Sequence, residues 1–236
     1  MRRLLYLSTL SLLALLTIPV HAQTTADGAA EAMQGFARSV DILDGTILIG
    51  EPSNYHQPGL VYQFVKNGDS WEQSAMLSAS DGKIGNSFGS AFSADGNMMI
   101  IGAPGTNEDR GAAYIFELAN GEWSQTAMLS LNDTTETEFG TSVLLSGDHA
   151  FVGAPGHADG TGAVVVYRRS GDSWSEATTL ANPDTSGSNF GSVLALEDDH
   201  LVVGAPQRQG GVLNVYKNDG SGWTHSATLE SRPADE

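Results

Sequence analysis

The sequence contains no cysteine among its 236 residues. Disulfide bonds, thiol nucleophiles, thiolate metal sites and a lipidated N-terminal cysteine are therefore excluded. Basic residues are scarce as well, with 11 Lys and Arg against 28 Asp and Glu and a formal net charge of −17. This acidity argues against nucleic acid, or an anionic membrane surface, as a partner.

Long apolar runs are also missing, except for residues 4–20, which follow Arg2 and Arg3 and lead to small residues ending at Ala22. A basic start, an apolar run and a small-residue end are typical of a secretory signal peptide. Ser, Thr and Pro interrupt the run, which disfavours an uncleaved membrane anchor. We predict a signal peptide over 1–22, a polar lead-in over 23–35, no membrane insertion after cleavage, and a secreted, periplasmic or cell-surface location.

What the chain does contain is one unit written four times. FGSAFSADGNMMIIGAPG, which starts at Phe88, is followed 51 residues later by FGTSVLLSGDHAFVGAPG, which starts at Phe139. The four copies start at Phe36, Phe88, Phe139 and Phe190, and the proline that lies 16 residues on is Pro52, Pro104, Pro155 and Pro206 respectively.

Each copy holds four short runs rich in Val, Ile, Tyr, Phe and Trp, which predict four β-strands. Pairs such as Asn67-Gly68 and Asp95-Gly96 predict tight hairpins between the first and second strands and between the third and fourth. A meander of about 50 residues cannot bury both faces alone, so the copies must stack as the blades of a β-propeller do.

We therefore predict an all-β fold, a β-propeller built of four four-stranded blades. The blades cover about residues 36–87, 88–138, 139–189 and 190–236. A closed four-blade ring and a partial propeller are both compatible with the repeat. The glycine after each Phe would let neighbouring backbones crowd together, and the four tryptophans would pack between blades. These residues are Gly89, Gly140 and Gly191, and Trp71, Trp123, Trp174 and Trp223.

With Phe-Gly, then apolar-Gly-Ala-Pro, then Gly-x-apolar-x-Tyr or Phe, the unit resembles the FG-GAP repeat. This repeat forms the blades of the N-terminal propeller of integrin α subunits and of many secreted bacterial proteins. The resemblance covers residues 36 to about 230, although the first copy departs from it at Phe36-Ala37 and Gly50-Glu51-Pro52. It implies a propeller with a recognition role in cell adhesion or extracellular binding. Relatives are usually seven-bladed, whereas four copies are present here.

Calcium-binding blades of that family carry an acidic Asp-x-Asp-x-Asp-Gly type of loop between the first two strands. The corresponding connectors here, ADGN from Ala94 and SGDH from Ser146, are too short and hold too few carboxylates to supply most of the oxygens that Ca²⁺ requires. We therefore expect no cofactor and do not favour calcium. His149 and His200 occupy equivalent places in two copies, but no third ligand is implied and we predict no metal site.

The longer loops emerge at the end of the propeller opposite the tight hairpins, and they differ between copies. Loops that vary on a repeated scaffold usually carry binding specificity. The candidate ligand-binding residues on this face are Tyr55, His56, Asn107, Glu108, Asp109, Arg110, His157, Asp159 and Arg208.

Known catalytic motifs are absent, since the chain has no G-x-S-x-G elbow, no H-E-x-x-H and no phosphate loop. We predict no catalytic residues and a module that binds an extracellular protein or glycan. Two alternatives are a propeller-scaffold hydrolase acting on glycan or phosphate-ester substrates, and a structural part of a larger extracellular assembly. Such an assembly includes a homodimer in which two copies pair through their terminal blade faces.

Overall fold

The computed structural model describes residues 35–43, 45–53, 56–184, 187–207 and 210–230. Within these ranges the chain forms sixteen strands in four antiparallel sheets, and each sheet is an up-and-down meander of four strands in chain order. The predicted signal peptide and all of the polar lead-in except Gly35 lie outside the described residues.

Each copy of the repeat supplies one sheet. Sheet 1 contains β1 (Ser39–Leu43), β2 (Thr46–Glu51), β3 (Leu60–Asn67) and β4 (Ser70–Leu77), and sheet 2 contains β5 (Phe92–Asp95), β6 (Met98–Ala103), β7 (Ala112–Ala119) and β8 (Glu122–Leu129). Sheet 3 contains β9 (Ser142–Ser146), β10 (His149–Ala154), β11 (Ala163–Ser170) and β12 (Ser173–Ala181), and sheet 4 contains β13 (Val193–Glu197), β14 (His200–Ala205), β15 (Val212–Asn218) and β16 (Trp223–Glu230). Two short helical turns, α1 (Thr106–Asp109) and α2 (His157–Gly160), follow β6 and β10.

The hairpins and strand ends confirm the expected turn chemistry. Gly68 and Gly96 have φ of 61° and 59°, the left-handed conformation that tight hairpins require. The second strand of every sheet ends immediately before the proline of the Gly-Ala-Pro segment, since proline has no N–H to continue the ladder.

Neighbouring sheets stack through their apolar faces. The first strands lie next to one another, with β5 in contact with β1 and β9, and β9 in contact with β13. Three buried clusters fill the spaces between sheets 1 and 2, sheets 2 and 3, and sheets 3 and 4. In the part of the chain that the structure describes, the sheets do not close into a ring. The partial propeller is thus the observed form.

Each junction between sheets depends on two glycines whose backbones touch. Gly153 of β10 faces Gly191 of the next sheet, and a Cβ on Gly153 would collide with the Gly191 carbonyl oxygen. Gly191 has φ of 94° and its N–H donates to the Gly204 carbonyl at 3.0 Å. Close backbone approach explains why both positions are glycine.

Three of the four tryptophans pack on the preceding sheet as expected. Trp123, Trp174 and Trp223 border the three buried clusters, and the Trp123 indole N–H donates to the Gln63 side chain of sheet 1 at 2.6 Å. Trp71 differs, because it is exposed. It belongs to sheet 1. Among the described residues, no preceding sheet packs against the outer face of that sheet.

Candidate functional site

The longer loops gather along one end of the sheet array. After the Gly-Ala-Pro segment of sheet 2 the chain enters α1, and after that of sheet 3 it enters α2. Both turns return to their sheets through the same hydrogen bond, from Gly111 N–H to the Thr106 carbonyl and from Gly162 N–H to the His157 carbonyl, each 2.9 Å long. The repeated backbone therefore holds different side chains in corresponding places.

The α1 turn contains three consecutive residues in the left-handed region. Asn107, Glu108 and Asp109 have φ of 53°, 61° and 61°, and all three side chains are exposed. For L-residues other than glycine this conformation costs roughly 1–2 kcal/mol each, and such residues often cluster at functional sites. The α2 turn repeats the feature at Ala158 and Asp159, with φ of 51° and 56°.

A groove of about 650 Å³ lies between α1 and the loop that joins sheets 1 and 2. We call it the α1 groove. One wall is the segment 105–110, and the other is formed by Asp81 and residues 83–86. Carboxylates and cations both line it, and the Ile84 side chain is 65% exposed at its edge. The groove thus combines charges of both signs with one exposed apolar side chain.

Asn86 ties the two walls of the α1 groove together. Its side chain is buried, accepts the Lys83 N–H at 2.7 Å and donates to the Gly105 carbonyl at 3.3 Å. The Gly105 N–H in turn donates to the Asn86 carbonyl at 3.1 Å. Because a short side chain and main-chain bonds hold both walls, the groove is preformed.

Two buried hydroxyls lie beneath the groove. The Thr106 Oγ1 and Tyr114 hydroxyl atoms have no hydrogen-bond partner among the described residues. Burial, and to a smaller extent the neighbouring Asp81 carboxylate, raise the pKa of Tyr114 to about 12. Thr106 lines the groove with its residue as a whole, but its hydroxyl oxygen is buried beneath the surface.

The corresponding loop of sheet 3 is organised around Asp133. His157 Nδ1 lies 3.1 Å from an Asp133 oxygen. The Thr135 N–H and hydroxyl donate to the other oxygen at 3.0 and 2.9 Å. The pKa of Asp133 is lowered, chiefly by these Thr135 bonds and to a smaller extent by the charge of His157. His157 is thus held in place by the loop that joins sheets 2 and 3.

The predicted binding residues fall into three groups. Asn107, Glu108, Asp109 and Arg110 line the α1 groove together, whereas His157 and Asp159 lie in α2 and His56 is exposed in the corresponding loop of sheet 1. Tyr55 and Arg208 lie outside the described residues.

Sequence reasoning missed the second wall of the groove, which consists of Asp81, Lys83, Ile84 and Asn86. Their segment belongs to the longer loops that differ between copies, and none of the four residues is among the predicted binding residues. The available signal was Asn86 near the end of that connector, since a short amide is suited to bridging two loops.

The hairpin end gives its carboxylates ordinary structural roles. Asp95, in one of the connectors considered for calcium, accepts the Gly147 N–H of the next sheet at 2.7 Å. His200 Nδ1 lies 2.6 Å from Asp199 rather than facing His149. Among the described residues no cluster of three or more His, Asp or Glu side chains is arranged to hold a metal ion.

The FG-GAP repeat family matches residues 71–116 and 123–167. The chain is an FG-GAP repeat protein. Each matched stretch begins on the last strand of one sheet and ends on the third strand of the next, so the family unit spans a junction between sheets. In this FG-GAP protein the unit of sequence is therefore one strand out of step with the unit of hydrogen bonding.

Integrin alpha-7 of Rattus norvegicus is a similar protein, with 28% identity over an alignment that covers 58% of this chain. The FG-GAP chain matches 15% of the length of that relative. The family match and this likeness indicate a protein-binding module in general. None of the described helices is long and apolar enough to cross a membrane.

Proposed function

We propose that this FG-GAP protein is an exported adhesion module that binds an extracellular partner through the α1 groove and the adjoining α2 turn. The observation that carries the proposal is the conformation of α1. Three non-glycine residues there adopt left-handed φ angles while their polar side chains point into solvent. Strain of this kind persists where it serves a site, and the fold draws no packing from these three side chains.

The chemistry of the groove favours a protein partner over a glycan. Asp81, Glu108 and Asp109 provide negative charge and Lys83 and Arg110 positive charge, around the exposed Ile84. A protein surface can complement the negative charge, the positive charge and the apolar side chain with basic, acidic and apolar side chains of its own.

A solid-phase assay tests this proposal. Immobilised extracellular-matrix proteins and a glycan array would be probed with the wild-type chain and with the double variant Ile84→Ala/Arg110→Ala. We expect binding to a protein probe that weakens at least tenfold in the double variant, because an apolar anchor and a charged contact are both lost. Asp172→Ala, at the hairpin end, is the matched control and should bind as the wild type does. Binding that responds to Asp172→Ala and ignores the groove variant would contradict the proposal.

Export is the second part of the proposal, and the residues that support it are 1–22. Their basic, apolar and small-residue pattern predicts removal after Ala22. N-terminal sequencing of the protein recovered outside the cytoplasm should start at Gln23. A product that retains Met1 would contradict export by cleavage.

We further propose that binding needs no cofactor. The support is the use of Asp95 in a hydrogen bond between hairpins and the scarcity of carboxylates in the neighbouring connectors. Neither the melting temperature nor partner binding should then change when EDTA is added or when Ca²⁺ is supplied. A calcium-dependent rise of several degrees would contradict this part.

The hydrolase alternative gains no specific support. Glu51 is the one buried carboxylate among the described residues, and it accepts a hydrogen bond from the Tyr62 hydroxyl at 2.6 Å. A glycosidase mechanism requires a pair of carboxyl groups on either side of a substrate. Self-association through the terminal sheet faces is a separate proposal, which exposed apolar side chains at both ends of the array support.

A further inference from the structure

At each internal junction a phenylalanine of one sheet fills a socket on the sheet before it. Phe190 is the clearest case, since it is fully buried in the cluster that also contains Val164 and Leu180 of sheet 3. Its N–H donates to the Thr161 carbonyl at 3.3 Å. Gly162 permits this approach, because a Cβ there would collide with the Phe190 carbonyl oxygen.

Sheet 4 carries the same socket, and no described residue fills it. The socket is a cavity of about 470 Å³, lined among others by Gly204, Gly211, Leu213 and Leu229. Leu213 corresponds to Val164 of sheet 3 and is 44% exposed, whereas Val164 is 0% exposed. Where a Cβ on Gly153 would collide with the next sheet's backbone, a Cβ on Gly204 meets only the Val193 and Leu213 side chains, the nearest atom at 3.2 Å.

Sheet 1 carries the complementary phenylalanine at the other end of the array. Phe36 packs on Tyr62 of its own sheet at 5.7 Å, much as Phe190 packs on Tyr216 at 6.1 Å. Phe36 is nevertheless 50% exposed, because no described residue supplies a socket for it. Val40 and Ile42 of β1 are exposed on the same face.

The backbone after Phe36 also has the required conformation. Ala37 has φ of 63°, in the left-handed region that Gly191 occupies at the equivalent place. The Ala37 side chain is a methyl group, whereas the internal junctions have glycine at this place. At the junction between sheets 3 and 4, a Cβ on Gly191 would lie 2.5 Å from the Ala163 carbonyl oxygen. The Ala37 methyl would therefore meet the Val212 carbonyl, so that one of the two backbones must shift for the contact to form and the contact is weakened.

We propose that two copies of this chain associate head to tail, with Phe36 of each copy seated in the sheet 4 socket of the other. The described residues of each chain hold one such exposed phenylalanine and one such open socket, so a pair leaves neither exposed and forms a ring of eight sheets. Eight is within the number of blades that propellers adopt. Reciprocal heterologous contacts that close in this way limit assembly to two chains. This inference concerns a different surface from the α1 groove and does not rest on it.

Sedimentation velocity over a concentration series of the full chain, as processed by the producing cell, tests the association. We expect a reversible monomer–dimer equilibrium for the wild type. Gly204→Ala should weaken it about ten- to hundredfold, because its methyl group occupies the place of the incoming backbone while the free chain accommodates it. Phe36→Ala should abolish the dimer. Ala37→Gly should tighten it roughly tenfold by removing the loosening methyl group and the strain at φ 63°.

Ile84→Ala is the matched control, because it removes an exposed apolar side chain from the loop end and should leave the dimer unchanged. Far-UV circular dichroism checks that each variant is folded. If Phe36→Ala fails to fold, the opposite effects of Gly204→Ala and Ala37→Gly still test the contact. The assay contains no partner, so its outcome is independent of binding at the α1 groove.

Cross-linking fixes the orientation of the two copies. At the junction between sheets 2 and 3, the Leu145 N–H of β9 donates to the Ser93 hydroxyl oxygen of β5 at 3.1 Å. The equivalent positions across the proposed contact are Ala195 and Ile42. The chain has no native cysteine, so single-cysteine variants Ala195→Cys and Ile42→Cys can be mixed. We expect a disulfide-linked dimer from the mixture and none from either variant alone.

Three results would overturn the proposal. The first is a monomer for both the wild type and Ala37→Gly at every concentration. The second is a dimer that neither Gly204→Ala nor Phe36→Ala weakens. The third is cross-linking of Ala195→Cys or Ile42→Cys with itself rather than with the other variant.

Discussion

Sheets 3 and 4 present the same kind of face to different surroundings. Leu180, near the end of the fourth strand of sheet 3, is 6% exposed, whereas Leu229 at the same place in sheet 4 is 55% exposed. The strands pair in the same order and with a register shift at the same point, between Val166 and Tyr167 in one sheet and between Val215 and Tyr216 in the other. The repeat therefore sets the shape of a face, and the neighbouring sheet decides whether that face is buried.

This difference makes it possible to measure separately the stability that comes from strand pairing within a sheet and the stability that comes from burial between sheets. The pairing of strands within a sheet depends on that sheet alone, whereas the burial of side chains such as Leu180 depends on the junction. Repeat arrays are stabilised by both terms, added from one unit to the next. Paired substitutions at equivalent positions of sheets 3 and 4 measure the junction term directly.

The largest difference is expected for leucine truncation. Leu180→Ala should lower the free energy of unfolding by about 2–5 kcal/mol, because it leaves a cavity in a buried cluster. Leu229→Ala should cost less than about 1 kcal/mol, because the side chain is already exposed. Urea unfolding at a concentration where the chain is monomeric measures both. Equal losses would mean that sheet 4 has a covered face.

Alkaline pH should reduce stability next, through tyrosines on the third strands. Burial is the largest cause that raises the pKa of Tyr114, Tyr167 and Tyr216 to about 12 each. Burial together with the Glu51 hydrogen bond raises the pKa of Tyr62 higher still. An unfolded tyrosine ionises near pH 10. Since the folded pKa values lie above this, the stability they contribute is complete below pH 10 and is lost as the pH rises toward 12.

Tyrosinate absorbance during an alkaline titration checks that prediction. We expect the absorbance of the buried tyrosines to rise together with the loss of circular dichroism. Ionisation of all four at pH 10 with the fold intact would contradict it. Glu51→Gln should lower the pKa of Tyr62 and leave the other three unchanged, which separates sheet 1 from the rest of the array.

A smaller difference is expected for glycine substitution. Gly153→Ala should cost about 1–3 kcal/mol, because the new methyl group collides with the Gly191 carbonyl of the next sheet. In the monomer Gly204→Ala should change stability by less than about 1 kcal/mol, since only side chains lie near its Cβ. Thermal unfolding measures the pair. A large loss at Gly204 would show that a backbone segment already occupies the socket.

The smallest difference is expected for tryptophan. Trp123→Phe removes the indole N–H that bonds Gln63 of sheet 1 and should cost about 1 kcal/mol. Trp71→Phe, at the exposed equivalent in sheet 1, should change stability by less than about 0.5 kcal/mol. Denaturant midpoints of the two variants give the comparison. A greater loss at Trp71 would contradict the exposed face of sheet 1.

The repeat made most of the fold predictable from the sequence. Strand number, sheet order and hairpins follow from residue patterns within about 50 residues, because turn chemistry and alternation are local. The failure of the array to close could not be read in this way, since it depends on how sheets stack. The exposure of Trp71 follows from the same cause.

The candidate site was predictable only in part. The loops that carry it were found because they differ between copies. The α1 groove itself requires Asn86 to meet Gly105, 19 residues further along the chain. The left-handed run from Asn107 to Asp109 contains no glycine, and although Asn and Asp tolerate this conformation, Glu108 does not favour it. Both features arise from contacts between loops rather than from local sequence.

The glycine pairs at the junctions have a consequence for how such proteins change over generations. Each junction brings two glycine backbones into direct contact beside its buried cluster, as Gly153 and Gly191 do. The same main-chain contact recurs at every internal junction, so a copied unit carries it along. A gene built on this joint can lengthen or shorten by whole units through unequal recombination, while its exposed loops diverge independently.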